Sequence, residues 1–198
     1  MTENNENKPF PYDIYCDMDG VLVDLFDNGV YLEINDPKMR QNLKKIIKTH
    51  WKWSKTHENP EIEEVLVWIR QLLDNNRSFW ANLSPLPDLL SFWTYLTSLG
   101  DVKVLSHPWD GASVEGKKDW IEKYLHPKPQ NSDILLPLDG KKEIYATKNS
   151  KPCVLIDDFT FYTKKWEENG GIAILHTSFR DTIRQLEDLQ QLKGAKNG

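Results

Sequence analysis

Short apolar runs separated by amphipathic stretches set the pattern of this chain. Five runs, at residues 12–17, 102–106, 133–137, 153–157 and 171–176, are mostly continuous rather than alternating. A strand covered on both faces reads this way, whereas a strand with one wet face alternates. Helical patterns lie between them. Residues 88–99 place Leu89, Leu90, Trp93 and Leu96 at helical spacing, and residues 113–125 carry Lys117, Trp120, Ile121, Tyr124 and Leu125 on one side. Residues 159–169 and 179–192 complete the set. Strands alternating with helices predict an α/β fold built on a doubly wound parallel sheet. Ligands of such sheets sit beyond the carboxyl ends of the strands, which is where Asp17, Ser106 and Asp157 fall.

Residues 25–84 break the alternation. Asp36-Pro37 predicts a helix start, with Asp as N-cap and Pro in the first turn, and Met39, Leu43, Ile46 and Ile47 give that helix an apolar face. Asn59-Pro60 predicts a second start, with Glu61, Glu63 and Glu64 placed favourably for the helix dipole. Ile62, Val65, Leu66, Ile69, Leu72 and Leu73 line its core side, and Trp68 lies off that stripe. The expected organisation is a disordered tail over 1–10, a core over 11–24 and 85–198, and a small helical cap over 25–84 inserted after the first strand.

Composition narrows the classes. The 198 residues suffice for one cored domain with an insertion. A net charge of -5 with scattered basic residues argues against a nucleic-acid partner, since a duplex binder concentrates its cations on one face. It leaves room for a small phosphorylated substrate, which needs only one or two local cations. No apolar run approaches the roughly 20 residues of a membrane span, and the polar residues 1–9 contain no secretory h-region. Cys16 and Cys153 both fall in apolar strands and read as core thiols, so a reducing cytoplasm is the expected location.

Candidate chemistry concentrates in two acidic pairs. Asp17 and Asp19 follow the first strand two residues apart, on one side of it, and Gly20 lets the backbone turn after them. Asp157-Asp158 follows Cys153-Val154-Leu155-Ile156. Acids so close repel, and a cation between them relieves the repulsion. An Asp-x-Asp-Gly stretch also opens calcium loops, but the strand before it and the missing third loop acid oppose that reading. Each feature alone has an ordinary structural explanation. In order and at strand ends, they predict one site that holds a divalent cation and attacks a phosphate.

These features resemble the haloacid dehalogenase (HAD) superfamily of phosphohydrolases, and more narrowly the 5'(3')-deoxyribonucleotidase family. The narrower likeness rests on Asp17-Met18-Asp19-Gly20-Val21-Leu22-Val23-Asp24, Phe79-Trp80-Ala81-Asn82-Leu83-Ser84-Pro85-Leu86-Pro87, Lys117-Lys118-Asp119-Trp120-Ile121-Glu122-Lys123-Tyr124 and Leu155-Ile156-Asp157-Asp158. The resemblance implies a HAD-like, Rossmannoid core. It implies Asp17 as nucleophile, forming an aspartyl-phosphate, and Asp19 as general acid and then base. Mg²⁺ would be held by Asp17, the Asp19 main-chain carbonyl and the Asp157-Asp158 pair, a donor set that suits it. Ser106 would donate to a phosphoryl oxygen, and Lys117 would neutralise phosphate charge and quiet Asp17. Lys118, Lys141 or Lys142 could supply that charge instead.

The family implies cap aromatics that stack on a nucleobase, a contact worth about 1–3 kcal/mol per base. Phe79 and Trp80 match by motif, Trp51 and Trp53 align more loosely, and Phe26 follows Leu25 where the family often has Phe. The alternative is that these rings fill a small helical core, and for Trp93 the core is expected. Two departures stand out. Leu138-Asp139-Gly140-Lys141-Lys142 lacks the family's arginine, and Ser106-His107-Pro108 replaces Thr-Ser-Pro. His107 is thereby placed at the edge of the site, as a substrate contact or a surface residue. A small-molecule nucleotide is the expected substrate and a homodimer the expected assembly. A sugar phosphate, the 3'-phosphate of a nucleic-acid end, and a non-catalytic phosphate-binding module are the alternatives.

Overall fold

A computed structural model describes residues 10–50 and 60–195. Its strands are β1 (Ile14–Cys16), β2 (Val102–Leu105), β3 (Ile134–Leu135), β4 (Thr147–Lys148), β5 (Lys151–Pro152), β6 (Val154–Asp157) and β7 (Ile172–Leu175). Its helices are α1 (Pro37–His50), α2 (Pro60–Leu73), α3 (Arg77–Ala81), α4 (Leu89–Leu99), α5 (Gly111–Tyr124), α6 (Thr160–Glu168) and α7 (Phe179–Ala195). Five strands form one sheet in the order β3-β2-β1-β6-β7, and every pairing in it is parallel. Ile14 stands beside both Val102 and Val154, so β1 is central. The chain winds outward from β1 through β2 to β3, then crosses back to β6 and β7. The sheet order therefore switches at β1, where such sheets carry their sites.

The continuous apolar runs are explained by cores on both faces of the sheet. Ile14, Cys16, Val104, Val154 and Ile156 belong to one buried cluster, while Tyr15, Leu105, Cys153 and Leu155 belong to another. Alternate residues of one strand thus enter different cores, and the one charged residue inside β2, Lys103, is half-buried with its ammonium 3.8 Å from Asp133. Cys16 and Cys153 are both buried free thiols. Trp93 is core, as expected, and its indole N–H donates to the Pro127 carbonyl at 2.7 Å. Trp68 is half-buried and packs against the larger cluster.

The strands are shorter than their apolar runs. The run at 133–137 gives only Ile134–Leu135, because Asp133 closes a 3-10 turn (Asn131–Asp133) and Pro137 lacks a ladder N–H. The β4–β5 hairpin was not apparent, since Asn149 and Ser150, its two turn residues, carry no glycine yet both take positive φ. Three further features were not legible as elements: the single π-helical turn Phe26–Val30, the short helix α3, and the Asn76 side chain that caps α3 by accepting from the Phe79 N–H. The Asp36 cap is present, its carboxylate accepting from the Lys38 N–H at 2.9 Å.

Between β1 and β2, Val23 and Pro85 form an isolated antiparallel bridge outside the sheet. The Leu86 N–H donates to the Leu22 carbonyl at 2.9 Å beside it. α3 lies against α5 at Gly116, where a Cβ would stand 2.5 Å from the Arg77 carbonyl oxygen and 2.6 Å from the Trp80 Cβ. The contact is reinforced by a two-pronged Arg77–Asp119 pair at 2.6 and 2.8 Å and by the Trp120 indole, which donates to the Leu83 carbonyl. Among the described residues no helix is long and apolar enough to cross a membrane.

Candidate active site

Backbone geometry brings the acids together. The Asp17 N–H donates to the Ile156 carbonyl, so the ends of β1 and β6 are level. The Met18 carbonyl then accepts from both Leu22 and Val23, and the Gly20 N–H donates to Val23, which coils the chain into a tight loop. Gly20 has φ +77°, and a Cβ there would lie 2.1 Å from Asp158 Oδ2. Only glycine lets this loop approach Asp158 so closely. One carboxylate oxygen from each of Asp17, Asp157 and Asp158 lies within 4.8 Å of the others.

Two buried lysines divide the acids between them. Lys142 Nζ stands 2.9 Å from Asp17 Oδ1 and 2.7 Å from Asp157 Oδ2. The other Asp157 oxygen accepts from the Phe159 N–H at 2.9 Å. Lys117 Nζ donates to Asp19 Oδ2 at 2.6 Å and to Ser106 Oγ at 3.3 Å. The expectation that Lys117 quiets Asp17 is corrected: Lys142 faces Asp17, and Lys117 serves Asp19. The reason is that the Lys142 ammonium reaches the ends of β1 and β6, between Asp17 and Asp157, whereas Lys117 on α5 reaches Ser106 just after β2. Lys118 and Lys141 point outward, to Glu115 and Asp139, each more than half exposed.

Four acids and two lysines leave the cluster short of positive charge. Burial drives the Asp157 carboxyl up to about 7, against the pull of Lys142. Partial loss of water, with Asp17 and Asp157 adding repulsion, drives Asp158 up to about 8, although the residue remains exposed at the edge of the cluster. Burial also raises Asp19, and Lys117 opposes the rise. Burial works to lower the Lys142 ammonium, but Asp157 and Asp17 more than offset it and its pKa lies above the usual lysine value. Asp17 Oδ1, which belongs to the cluster and is ion-paired with Lys142, and Asp19 Oδ1 are each buried without a hydrogen-bond partner. An all-oxygen donor set, a deficit of positive charge and orphaned carboxylate oxygens together fit a hard divalent cation such as Mg²⁺.

The other expected residues sort differently. Trp80 is 2% exposed, with its indole donating to the Leu73 carbonyl and Lys117 Nζ 5.0 Å from its ring centroid. It backs Lys117 rather than offering a face for stacking, which corrects its expected substrate contact. Phe26 leans on Tyr31, their centroids 5.8 Å apart. Phe79 lines a cleft of about 350 Å³ with Asn28, Gly29, Asn76, Asn82 and Leu83, and none of the catalytic candidates lines it. Trp51 and Trp53 lie outside the described residues. His107 Nδ1 is 2.7 Å from the Tyr162 hydroxyl. Tyr162 itself was missed: its ring centroid lies 4.4 Å from Lys142 Nζ. The one available signal was the aromatic run Phe159, Phe161 and Tyr162 directly after the second acidic pair.

Comparison with solved structures places the fold. The HAD-hydrolase YfnB from Bacillus subtilis, a structure bound to magnesium, is 14% identical, with 84% of this chain and 88% of that one covered at a TM-score of 0.57. L-2-haloacid dehalogenase from Xanthobacter autotrophicus is 14% identical, with 93% and 87% covered at 0.55. A HAD-superfamily hydrolase of subfamily IA from Geobacter sulfurreducens is 13% identical, with 91% and 99% covered at 0.50. No curated protein sequence matches the chain. The model of the family described as 5' nucleotidase, deoxy (Pyrimidine), cytosolic type C matches residues 12–183, a span that holds both acidic pairs, Ser106 and both buried lysines. With that match over most of its length and a HAD-like core beneath it, this chain belongs to the cytosolic type C 5'-nucleotidase family and is an enzyme of the phosphatase class.

Proposed function

We propose that this enzyme hydrolyses the phosphomonoester of nucleoside monophosphates with Mg²⁺ bound. The observation that carries the reading is the division of labour between the two lysines. Lys142 pairs with Asp17 and Lys117 with Asp19, so the two acids have separate environments suited to separate roles. Asp17, paired with the Lys142 ammonium, is the nucleophile. An Asp17 oxygen forms a bond to phosphorus as the bond from phosphorus to the sugar oxygen breaks. Asp19, whose carboxyl is raised by burial, gives its proton to the departing alkoxide. In the second half a water attacks the aspartyl-phosphate, Asp19 takes that water's proton, and inorganic phosphate leaves with Asp17 restored.

Ser106 and Lys117 meet at 3.3 Å and together offer a hydroxyl and an ammonium to the phosphoryl oxygens. Asp17, Asp157 and Asp158 would hold Mg²⁺, whose charge would offset repulsion between the carboxylates and the phosphate. The cleft beside Phe79 offers an aromatic face suited to a nucleobase, while the amide nitrogens of Asn28, Asn76 and Asn82 on its wall donate to Asp24, Leu72 and Ser78. The test is phosphate release from a panel of nucleoside monophosphates and sugar phosphates, with Mg²⁺ and with excess EDTA, beside Asp17→Asn. Metal-dependent release that favours nucleotides and is absent from Asp17→Asn is expected. Release from sugar phosphates alone would keep the chemistry and remove the nucleobase from it. Turnover retained in Asp17→Asn would overturn the mechanism.

A further inference from the structure

His107 and Tyr162 belong to neither the acids nor the lysines, yet both bear on Lys142. Tyr162 stands in the first turn of α6 with its ring face 4.4 Å from the Lys142 ammonium. Its hydroxyl meets His107 Nδ1 at 2.7 Å, and the two rings lie edge to face at 88°. The His107 ring in turn rests on Gly140, where a Cβ would stand 2.8 Å from its Cε1 atom. Gly140 is part of the turn that carries Lys142: its N–H donates to Pro137, and its carbonyl accepts from the Lys142 N–H. Three segments therefore meet at one contact. They are the loop after β2 beside Ser106, the turn leading into Lys142, and the start of α6 just beyond Asp158.

A lysine stem is long and flexible, so a buried ammonium goes where its surroundings direct it. Asp17 and Asp157 attract this one from one direction. An aromatic face on another attracts it too, but offers no lone pair that competes with the carboxylates. The ring also occupies space that water would otherwise enter. Phe159 and Phe161 pack against it at centroid distances of 5.8 and 5.3 Å, so the ring is buttressed as well as tethered. We infer that Tyr162, its ring orientation locked by His107, is a positioning residue that holds the Lys142 ammonium between Asp17 and Asp157. Its effect on rate rests on the proposed role of Asp17 as nucleophile. Its effect on Lys142 does not.

The experiment reads two quantities. One is kcat and KM for phosphate release with Mg²⁺. The other is the side-chain ammonium resonance of Lys142 in ¹⁵N-lysine-labelled protein, assigned by its loss in Lys142→Met. Tyr162→Leu should lower kcat by about tenfold, with KM changed less than about twofold, and should displace the Lys142 resonance. Tyr162→Phe keeps the ring but loses the tether to His107, so it should hold kcat within about threefold of wild type and displace the resonance less than Tyr162→Leu does. His107→Ala removes the same hydrogen bond from the other side and should displace the resonance about as far as Tyr162→Phe does, which serves if Tyr162→Leu does not fold. A wild-type resonance in folded Tyr162→Leu, an unchanged kcat there, or an equal loss in Tyr162→Phe overturns the inference. If wild-type protein releases no phosphate from any substrate, the functional reading fails, and the resonance alone decides the positioning.

Discussion

At the scale of single residues, the site sets two buried lysines against three of its four acids, Lys142 between Asp17 and Asp157 and Lys117 beside Asp19. A buried lysine that loses its acid, or an acid that loses its lysine, is left uncompensated, and that loss costs more than the pair contributes. Lys142→Met should therefore lower the stability of metal-free protein by about 3 kcal/mol and cut kcat by at least about a hundredfold. Urea unfolding and steady-state kinetics measure the two effects. Lys117→Met should cut kcat similarly but leave Asp17 paired, and the two variants separate on a substrate such as p-nitrophenyl phosphate, whose leaving group needs no proton from Asp19: the loss shrinks for Lys117→Met and persists for Lys142→Met.

A residue far from this chemistry predicts pH dependence. His176 is buried among Phe92, Phe179 and Thr182, with Nδ1 2.8 Å from the Thr182 hydroxyl, and burial lowers its pKa to about 4. Between its ordinary value near 6.5 and about 4, the unfolded chain binds a proton that the folded chain refuses, so stability falls as pH falls through that window. The loss should reach about 3 kcal/mol below pH 4, and His176→Gln should remove this component of the slope. Urea midpoints measured across pH 4–7 for both proteins check it; parallel profiles would show that His176 does not refuse the proton.

At the scale of elements, what matters is how closely two helices approach. Gly116 lets the backbone of α3 touch α5 one residue before Lys117. Gly116→Ala should push α3 away, cost about 1–3 kcal/mol through overpacking, and lower activity by moving Trp80 off Lys117. Gly111, also in α5, has open space where a Cβ would stand, so Gly111→Ala should be neutral or stabilising by up to about 1 kcal/mol. Thermal midpoints of the two variants test whether the helix contact, rather than helix propensity, sets the difference. Neither effect can be read along the chain, because both glycines lie in the same helical pattern and differ only in what a neighbouring element brings beside them.

At the scale of the whole molecule, the sheet collects charge that a bound cation would relieve. Mg²⁺ present at a hundredfold excess over its dissociation constant should stabilise the fold by about 2.7 kcal/mol, with EDTA reversing the gain. Asp158→Asn should reduce the gain by weakening the site, and a wild-type thermal midpoint indifferent to Mg²⁺ would count against a metal site here.

The chain by itself determined the sheet class, both acidic pairs and their place at strand ends. Those features are local: continuous apolar runs mark strands with two covered faces, and period-two alternation sets the direction of Asp17 and Asp19. It also carried the motifs that identify the family. What tertiary structure alone decided was the pairing of charges. Lys117, Lys118, Lys141 and Lys142 are equally basic in the sequence, and only the approach of α5 and of the turn at Lys142 selects two of them and assigns each its acid. The same holds for Trp80, which has the aromatic character of a stacking residue but is enclosed behind Lys117, and for Tyr162, whose ring matters because His107 and Lys142 reach it from distant segments. Hydrophobic periodicity reports which face of an element is buried. It does not report which neighbour buries it, and the chemistry of this site depends on the neighbour.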